Sequence, residues 1–491
     1  MTDQTKELIV TLLKIVGACV AAAVTALVIY FSVTGTPTPN PSPSPTLTAS
    51  PSPTPTSSPS ATPSMQVQSS QIFEKPMPPN YALTLGNSLS LGLLKGETTG
   101  RALKISSGCV TTPQGQLYEM PIVKTTQRSI KTAVLGDHYD PLIPVTQVCG
   151  PGFAWLDVTG IVSGSFKVGD LPVTVTVLAQ AIPAKPTMPF YMGLGSFAIL
   201  KGHGIPNAGV QEQAALTKQY IKLLRDHRIE PFYQYIAQTA TLDTWSDLGG
   251  SFRQLVLDGA LAPPMVSDPR HLPDPSASMA TWQSRLAGEP GLAGAWNYIT
   301  DEPTDFPLLA SRALQSKATG PGIKVMVTTE PRTELLGAVD IFVPVLEYFR
   351  RADRWQDYSN LTYWLYGSCM SHKCTMSDWT GTPDLMLDEP LSWARAYPLV
   401  ISTLGAKAAL YYNEVESYGA GRDPWTQPFA FGGNGDGQMV YPGIPGQRGF
   451  TAHTALGSLR LKALREGMND VEKVKMGLMV NPVKDQFTWP K

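Results

Sequence analysis

The sequence is poor in charge, in cysteine and in histidine. Charged residues make up 16% of its 491 positions, against about 25% in ordinary soluble domains. The 38 Lys and Arg against 39 Asp and Glu leave a net charge of -1, so there is no basic excess of the kind a nucleic-acid partner requires. Five cysteines are too few for a disulfide-dense scaffold. Six histidines are scattered without metal-ligand spacing. There is no GxSxG elbow, no HExxH, no GxGxxG after a strand and no GxxxxGK[ST] loop, which removes the serine-hydrolase, zincin, dinucleotide and P-loop chemistries and leaves no expected cofactor or metal. What is present is bulk: 43% apolar residues, with 10 Trp, 18 Tyr and 15 Phe. That excludes wholesale disorder, and the length exceeds what one core holds.

The N-terminal region is of another kind. Ile15 to Val33 carries no charge over a stretch long enough to span a bilayer as a helix. Lys6 and Lys14 precede it and the next basic residue is Lys75, so the positive-inside rule predicts residues 1–14 in the cytoplasm, 15–33 as a single-pass membrane anchor and the rest outside. A cleaved signal peptide and a lipoprotein-type Cys19 are the alternatives. Residues 34–65 are mostly Pro, Thr and Ser without charge and read as an extended polyproline stalk.

Between residues 66 and 185 the apolar period is two, clearest in Val173-Thr174-Val175-Thr176-Val177, with recurrent turn signals. This predicts a β-sandwich. Cys109 and Cys149 lie within it and outside the cytoplasm are expected to pair, two buried thiols being the alternative. From 186 to 491 strand-like runs alternate with helical ones. Strands are predicted at Phe190–Leu200, Ile229–Ile236, Ala262–Val266, Leu292–Thr300, Lys324–Thr329, Val339–Tyr348, Leu361–Tyr366 and Ala408–Asn413, with a final helix over His453–Gly477. Eight such units in order predict a (β/α)8 TIM-like barrel, whose sites lie at the C-terminal ends of its strands.

Carboxylates carry the remaining chemistry. Trp296-Asn297-Tyr298-Ile299-Thr300-Asp301-Glu302-Pro303 ends the fourth predicted strand on two adjacent acids, where a barrel enzyme can present a general acid to a sugar. Acids before proline also suit a helix start. That reading is preferred for the second copy of the tripeptide, Asp388-Glu389-Pro390. Cys369 and Cys374, with His372 between them, are read as a small disulfide loop rather than three of a zinc site's four ligands.

These residues resemble glycoside hydrolase family 123 and its uncharacterised relatives. The likeness runs from about Phe190 to Val474. It rests on Leu223-Leu224-Arg225-Asp226-His227-Arg228-Ile229-Glu230-Pro231, on Tyr298-x-x-Asp301-Glu302-Pro303, on Trp364-x-Tyr366, and on the C-terminal runs Asp423-Pro424-Trp425, Gly435-Asp436-Gly437-x-x-Val440-Tyr441-Pro442-Gly443 and Ser458-Leu459-Arg460-Leu461-x-x-Leu464-Arg465-Glu466-Gly467. The resemblance implies a retaining β-N-acetylgalactosaminidase with a sandwich ahead of its barrel, Glu302 as acid/base and Asp301 orienting the 2-acetamido group of the glycan substrate.

The residues support such a mechanism separately. The seventh strand ends Trp364-Leu365-Tyr366-Gly367-Ser368-Cys369 without an acid, so the substrate's own acetamido oxygen is the expected nucleophile. Tyr233, Tyr298, Tyr348, Trp364, Tyr366 and Trp425 are candidate sugar-binding aromatics and Asn413 a candidate hydroxyl ligand. Glu347, Glu414 and Glu416 are the alternative nucleophiles, and Arg460 and Arg465 are expected as structural cations near a helix surface. A surface glycan-binding or structural protein that has lost catalysis is the rival reading of the whole chain.

Overall fold

The computed structural model describes residues 83–483 apart from 85–87, 234–251, 264–278, 281, 282, 285, 286, 288–293, 352–357, 359, 370–373 and 375–381. The expected anchor and stalk lie outside these residues. Among the described residues no helix is long and apolar enough to cross a membrane. Residues 65–491 form one compact unit.

Its N-terminal layer is a sandwich of short strands. Leu83–Thr84 (β1), Leu89–Lys95 (β2), Thr98–Ile105 (β3), Cys109–Thr111 (β4), Gln116–Glu119 (β5), Ile122–Thr125 (β6), Gly136–Tyr139 (β7), Ile143–Val145 (β8), Gln147–Cys149 (β9), Gly152–Thr159 (β10), Gly164–Val168 (β11) and Leu171–Ala181 (β12) follow in order. One sheet runs β1-β3-β10-β5-β8 and the other β11-β12-β2, with β4-β9 and β6-β7 as separate pairs. The period-two signal falls as expected: Leu171, Val173 and Val175 are buried while Pro172, Thr174 and Thr176 are exposed. They meet Leu103, Leu117, Leu156 and Val158 of the facing sheet. Cys109 sits opposite Cys149 in the β4-β9 register and the two form a disulfide.

The second layer is built on parallel strands: Phe190–Leu194 (β13), Glu230–Tyr233 (β14), Trp296–Thr300 (β15), Lys324–Val327 (β16), Ile341–Phe342 (β17), Trp364–Tyr366 (β18) and Ala408–Tyr411 (β19). They pair as β14-β13-β19-β18 and β15-β16-β17. Parallel bridges Phe342 to Tyr363 and Val345 to Tyr366 join the two sets into one arc of seven. The expected third strand would lie between β14 and β15. Ala262 already donates its N–H to Pro231 O at 2.8 Å, whereas residues 264–266 are outside the described ones. The described residues therefore give a mixed α/β fold with a parallel arc of seven strands.

Both faces of that arc are covered, which explains its continuous apolar runs. Phe190, Met192, Val325, Val327, Leu365 and Ala409 face one core. Tyr191, Phe232, Trp296, Tyr298, Met326, Trp364, Tyr366 and Leu410 face the other. At three places an element of one kind stands where the other kind was expected. The strand at Phe190 stops at Leu194 and a helix occupies Ser196–Gly202. The strand predicted to Tyr348 ends at Phe342, and Leu346–Arg351 is helical. Thr454–Gly457 is a strand, so the last helix begins only at Leu459, behind the Ser458 cap that accepts from Leu461 N at 3.1 Å.

That last helix, Leu459–Lys475, is buried on every side from Leu459 to Glu472. Leu461, Leu464, Met468 and Val471 enter the core beneath the parallel arc, and Gly467 lets the helix at Leu391–Thr403 approach, since a Cβ there would stand 2.1 Å from Arg395 O. Its polar side meets the sandwich. Arg465 grips Asp157 with Nη1 at 3.0 Å and Nη2 at 2.7 Å, Lys462 adds Nζ at 2.6 Å, and Arg460 reaches Asp140 at 2.9 Å. The expectation of surface cations is thus corrected: Arg460 and Arg465 are structural, but 2% and 3% exposed. The helix amphipathicity that marks one face polar cannot distinguish water from a buried acidic sheet. The resemblance motif Gly435-Asp436-Gly437 serves the same seam, with Gly435 at φ +76° giving room to the Arg460 guanidinium, which donates to Gly435 O at 2.8 Å.

Candidate active site

The strand β15 delivers the two acids. Trp296 and Tyr298 point into the inner cluster, and the β15–β16 register shifts between Tyr298 and Thr300, a bulge of the sort that re-aims side chains at the end of a strand. Asp301 and Glu302 emerge from it exposed to solvent. Glu302 has a φ of 41°, a left-handed backbone that a residue with a Cβ adopts only where its surroundings hold it. The holding group is Thr328, one residue past the end of the next strand, whose Oγ1 accepts the Glu302 N–H at 2.8 Å.

The side chains are positioned as well. Tyr298 donates its hydroxyl to Asp301 Oδ1, and Thr328 Oγ1 reaches the same oxygen at 3.0 Å. Tyr366, from β18, donates to Glu302 Oε1 at 2.7 Å. Burial, reinforced by the Asp301 carboxylate, holds the Tyr298 phenol well above its usual range, so it remains a donor. The helix that follows, Phe306–Thr319, takes its cap from Asp305, which accepts from Leu308 N at 3.0 Å. Asp301 and Glu302 are therefore not the cap of that helix. In the second copy of the tripeptide Asp388 is buried, accepting from Ser129 N and Asn434 Nδ2, each at 2.8 Å. The structural reading holds there, though the helix at Leu391–Thr403 has no side-chain cap. Asp388 instead ties the loop at Ser129 to Asn434.

Of the other candidates, Trp364 stacks on Tyr191 with centroids 4.8 Å apart and meets Trp296 edge-on. It is 6% exposed, so it fills the floor beneath the acids. Tyr366 contributes its hydroxyl rather than an open face. Asn413 is buried at the end of β19, donating to Glu416 Oε2 and accepting from Val415 N, both at 2.9 Å. Trp425 lies elsewhere: it packs on Tyr441 beneath Arg448, gives its indole N–H to Pro442 O at 3.0 Å and clusters with Val123 of the sandwich. Tyr233 ends β14 and Tyr348 lies in the short helix rather than at a strand end; their side chains lie outside the described residues.

The alternative nucleophiles differ sharply in access. Glu414 is fully buried, and burial raises its carboxyl well above the usual range, with a weak opposing pull from the N–H groups of Glu414 and Gly195. Its carboxylate charge adds to the burial that raises the Tyr220 and Tyr418 phenols. Glu347 is 1% exposed and lines a small cavity with Ser368, Asp384 and Tyr397. Both point into the layer behind the arc. Glu416 is half-buried and engaged by Asn413. Cys369 and Cys374 form the second disulfide, and His372 lies outside the described residues.

A parallel arc with exposed, braced carboxylates at its C-terminal rim is the arrangement to be compared with known proteins. No protein-family profile and no curated protein matches the chain. Among solved structures it is similar to a family 123 glycoside hydrolase from Clostridium perfringens, described for glycolipid glycan hydrolysis, at 13% identity and a TM-score of 0.52, covering 82% of this chain and 86% of that one. A β-glucuronidase from Parabacteroides merdae also matches, at 8% identity and a TM-score of 0.26, over 65% of this chain and 46% of that one. The first of these likenesses establishes the fold.

Proposed function

We propose that the protein is a retaining exo-β-N-acetylhexosaminidase acting on terminal N-acetylgalactosamine of a glycan, on a barrel closed by residues 262–266 and held outside the membrane by the anchor and stalk. The observation that carries this reading is the exposed pair Asp301 and Glu302, braced by Tyr298, Thr328 and Tyr366 at one rim. The fold shared with a family 123 glycoside hydrolase supports it. In the proposed reaction Glu302 gives its proton to the leaving oxygen while the acetamido oxygen attacks the anomeric carbon. Asp301 accepts the acetamido N–H and offsets the positive charge of the oxazolinium ion. Water then opens that ring, with Glu302 taking the water's proton. A protein nucleophile would have to stand about 5 Å from the acid. The end of β18 offers none, and Glu347 and Glu414 are enclosed behind the arc.

The test is hydrolysis of aryl β-N-acetylgalactosaminide beside the matching galactoside. The first should be cleaved and the second nearly inert, because loss of the acetamido removes the nucleophile itself. Glu302→Gln should spare activated aryl leaving groups and abolish turnover of poor ones, while Asp301→Asn should impair both. Comparable turnover of the two sugars, with a glycosyl ester trapped on Glu416, would replace this reading with a two-carboxylate one.

A further inference from the structure

Thr328 carries no acid and no ring, yet its one hydroxyl meets three groups of the site, Glu302 N, Asp301 Oδ1 and the Tyr298 hydroxyl. Strand parity puts it there. Along β16, Val325 and Val327 face the outer core and Met326 the inner cluster, so the next inward position is 328, one residue past the end of the strand. It is 6% exposed.

We propose that Thr328 is the positioning residue of the site, its single hydroxyl fixing the backbone of the acid/base Glu302 and the carboxylate of Asp301 together. The proposal rests on the glycosidase reading above and adds to it a residue that neither contacts substrate nor transfers a proton. Oγ1 accepts from Glu302 N at 2.8 Å, lies 3.0 Å from Asp301 Oδ1 and 3.0 Å from the Tyr298 hydroxyl. A hydroxyl has one proton and two lone pairs. With Glu302 N–H filling one lone pair, the Thr328 proton is directed to Asp301 Oδ1, the same oxygen that Tyr298 already serves. The triangle of Tyr298, Thr328 and Asp301 oxygens thus has two protons for three edges when Asp301 is ionised, and both point at the carboxylate. That arrangement aims Asp301 as an acceptor and leaves Oδ2 for the substrate N–H.

The link to Glu302 is through the main chain. Its left-handed φ of 41° sets the direction in which the side chain leaves toward Tyr366, and the N–H bond to Thr328 holds that turn. The β-branched side chain has few χ1 choices, so the hydroxyl is fixed before substrate arrives. Removing it frees two groups at once, and a displacement of about 1 Å at reacting groups lowers rates on the order of a hundredfold.

The experiment compares Thr328→Val, which keeps the shape, with Thr328→Ser, which keeps the hydroxyl. Crystal structures and steady-state rates on an aryl N-acetylgalactosaminide are measured for both and for the unaltered chain. The valine variant should show Glu302 leaving the left-handed region or the Asp301 carboxylate turned away, with kcat down about a hundredfold and KM within a few-fold; serine should recover most of kcat. Thr328→Ala carries the same test if valine does not fold. Both acids unmoved in the valine structure would overturn the proposal whatever the rates, as would unchanged kcat or a serine variant as impaired as valine. An unaltered chain inert toward every aryl N-acetylhexosaminide would overturn the glycosidase reading, whereas the crystallographic arm would still decide whether Thr328 sets the two acids.

Discussion

Tyr366 and Glu302 are joined by a 2.7 Å hydrogen bond across two strands that are not neighbours in the arc. The phenol meets Oε1, so a proton carried by this carboxyl sits on Oε2. Tyr366→Phe keeps the ring and removes only this bond. Because the carboxyl becomes charged as it gives up its proton, the expected loss of transition-state stabilisation is about 1.5–3 kcal/mol, the worth of a bond to a charged partner, a fall in kcat/KM of about tenfold to a hundredfold. Unchanged kinetics would mean that Tyr366 serves only as packing.

Asp157 accepts three bonds from Arg465 and Lys462 while 6% exposed. Burial alone would raise its pKa, but Arg465 and then Lys462 hold it well below the usual carboxylate range. Asp157→Ala leaves both cations buried without their anion, for which the expected cost is about 3–5 kcal/mol. Denaturant midpoints measure it. A loss under about 1 kcal/mol would show that water or a neighbouring acid takes the place of Asp157.

Glu414 supplies a pH signature. Its folded pKa is raised by burial, so above the unfolded value the native chain retains a proton that the unfolded chain releases. Stability from this group is full below about pH 4.5 and declines as pH rises toward the folded pKa, by about 1.4 kcal/mol per unit. His203, lowered to about 3 by burial and by His453, adds the opposite slope up to about pH 6.5, where it ionises in the unfolded chain, but it is common to both proteins and cancels in the comparison. Glu414→Gln mimics the neutral form, so the variant should match the wild type at and below about pH 4.5 and exceed it increasingly as pH rises from there toward the folded pKa, with activity retained. Parallel stability curves for the two proteins would refute the assignment.

Residues 65–491 constitute the compact unit, so that segment alone should be folded and as active per molecule as the full chain. Circular dichroism and aryl-glycoside turnover decide it. Loss of both on removal of residues 1–64 would show that the N-terminal segment takes part in the fold.

Much of the fold could be read from periodicity, for a definite reason. The alternation of Leu171, Val173 and Val175 against exposed neighbours records one dry face and one wet one, and the apolar runs at Phe190, Lys324 and Ala408 record strands covered on both sides. Where local pattern and tertiary role part, the sequence misleads. Leu346–Arg351 reads as a continuation of a strand because its apolar residues, Leu346 and Phe349, have the same composition as the strand before it. Arg460 and Arg465 read as surface because their partners lie some three hundred residues earlier, at Asp140 and Asp157. The acid pair was legible from its position at a strand end. Thr328 was not, since its value comes from parity relative to a neighbouring strand, and no motif contains it. Trp425 stood in a motif beside the expected site, yet its indole anchors the sandwich.

The buried helix Leu459–Lys475 has a consequence for how the chain is made. Asp157 leaves the ribosome about three hundred residues before Arg465, whose pairing with it spans 308 positions. At about 5–20 residues per second that interval is roughly 15–60 s. During it the outer face of β10 presents an acid shaped for burial with no cation to meet it. The sandwich is therefore a receptor awaiting its last segment, and a nascent chain stalled short of residue 459 should keep this face wet, open to solvent and to chaperones alike.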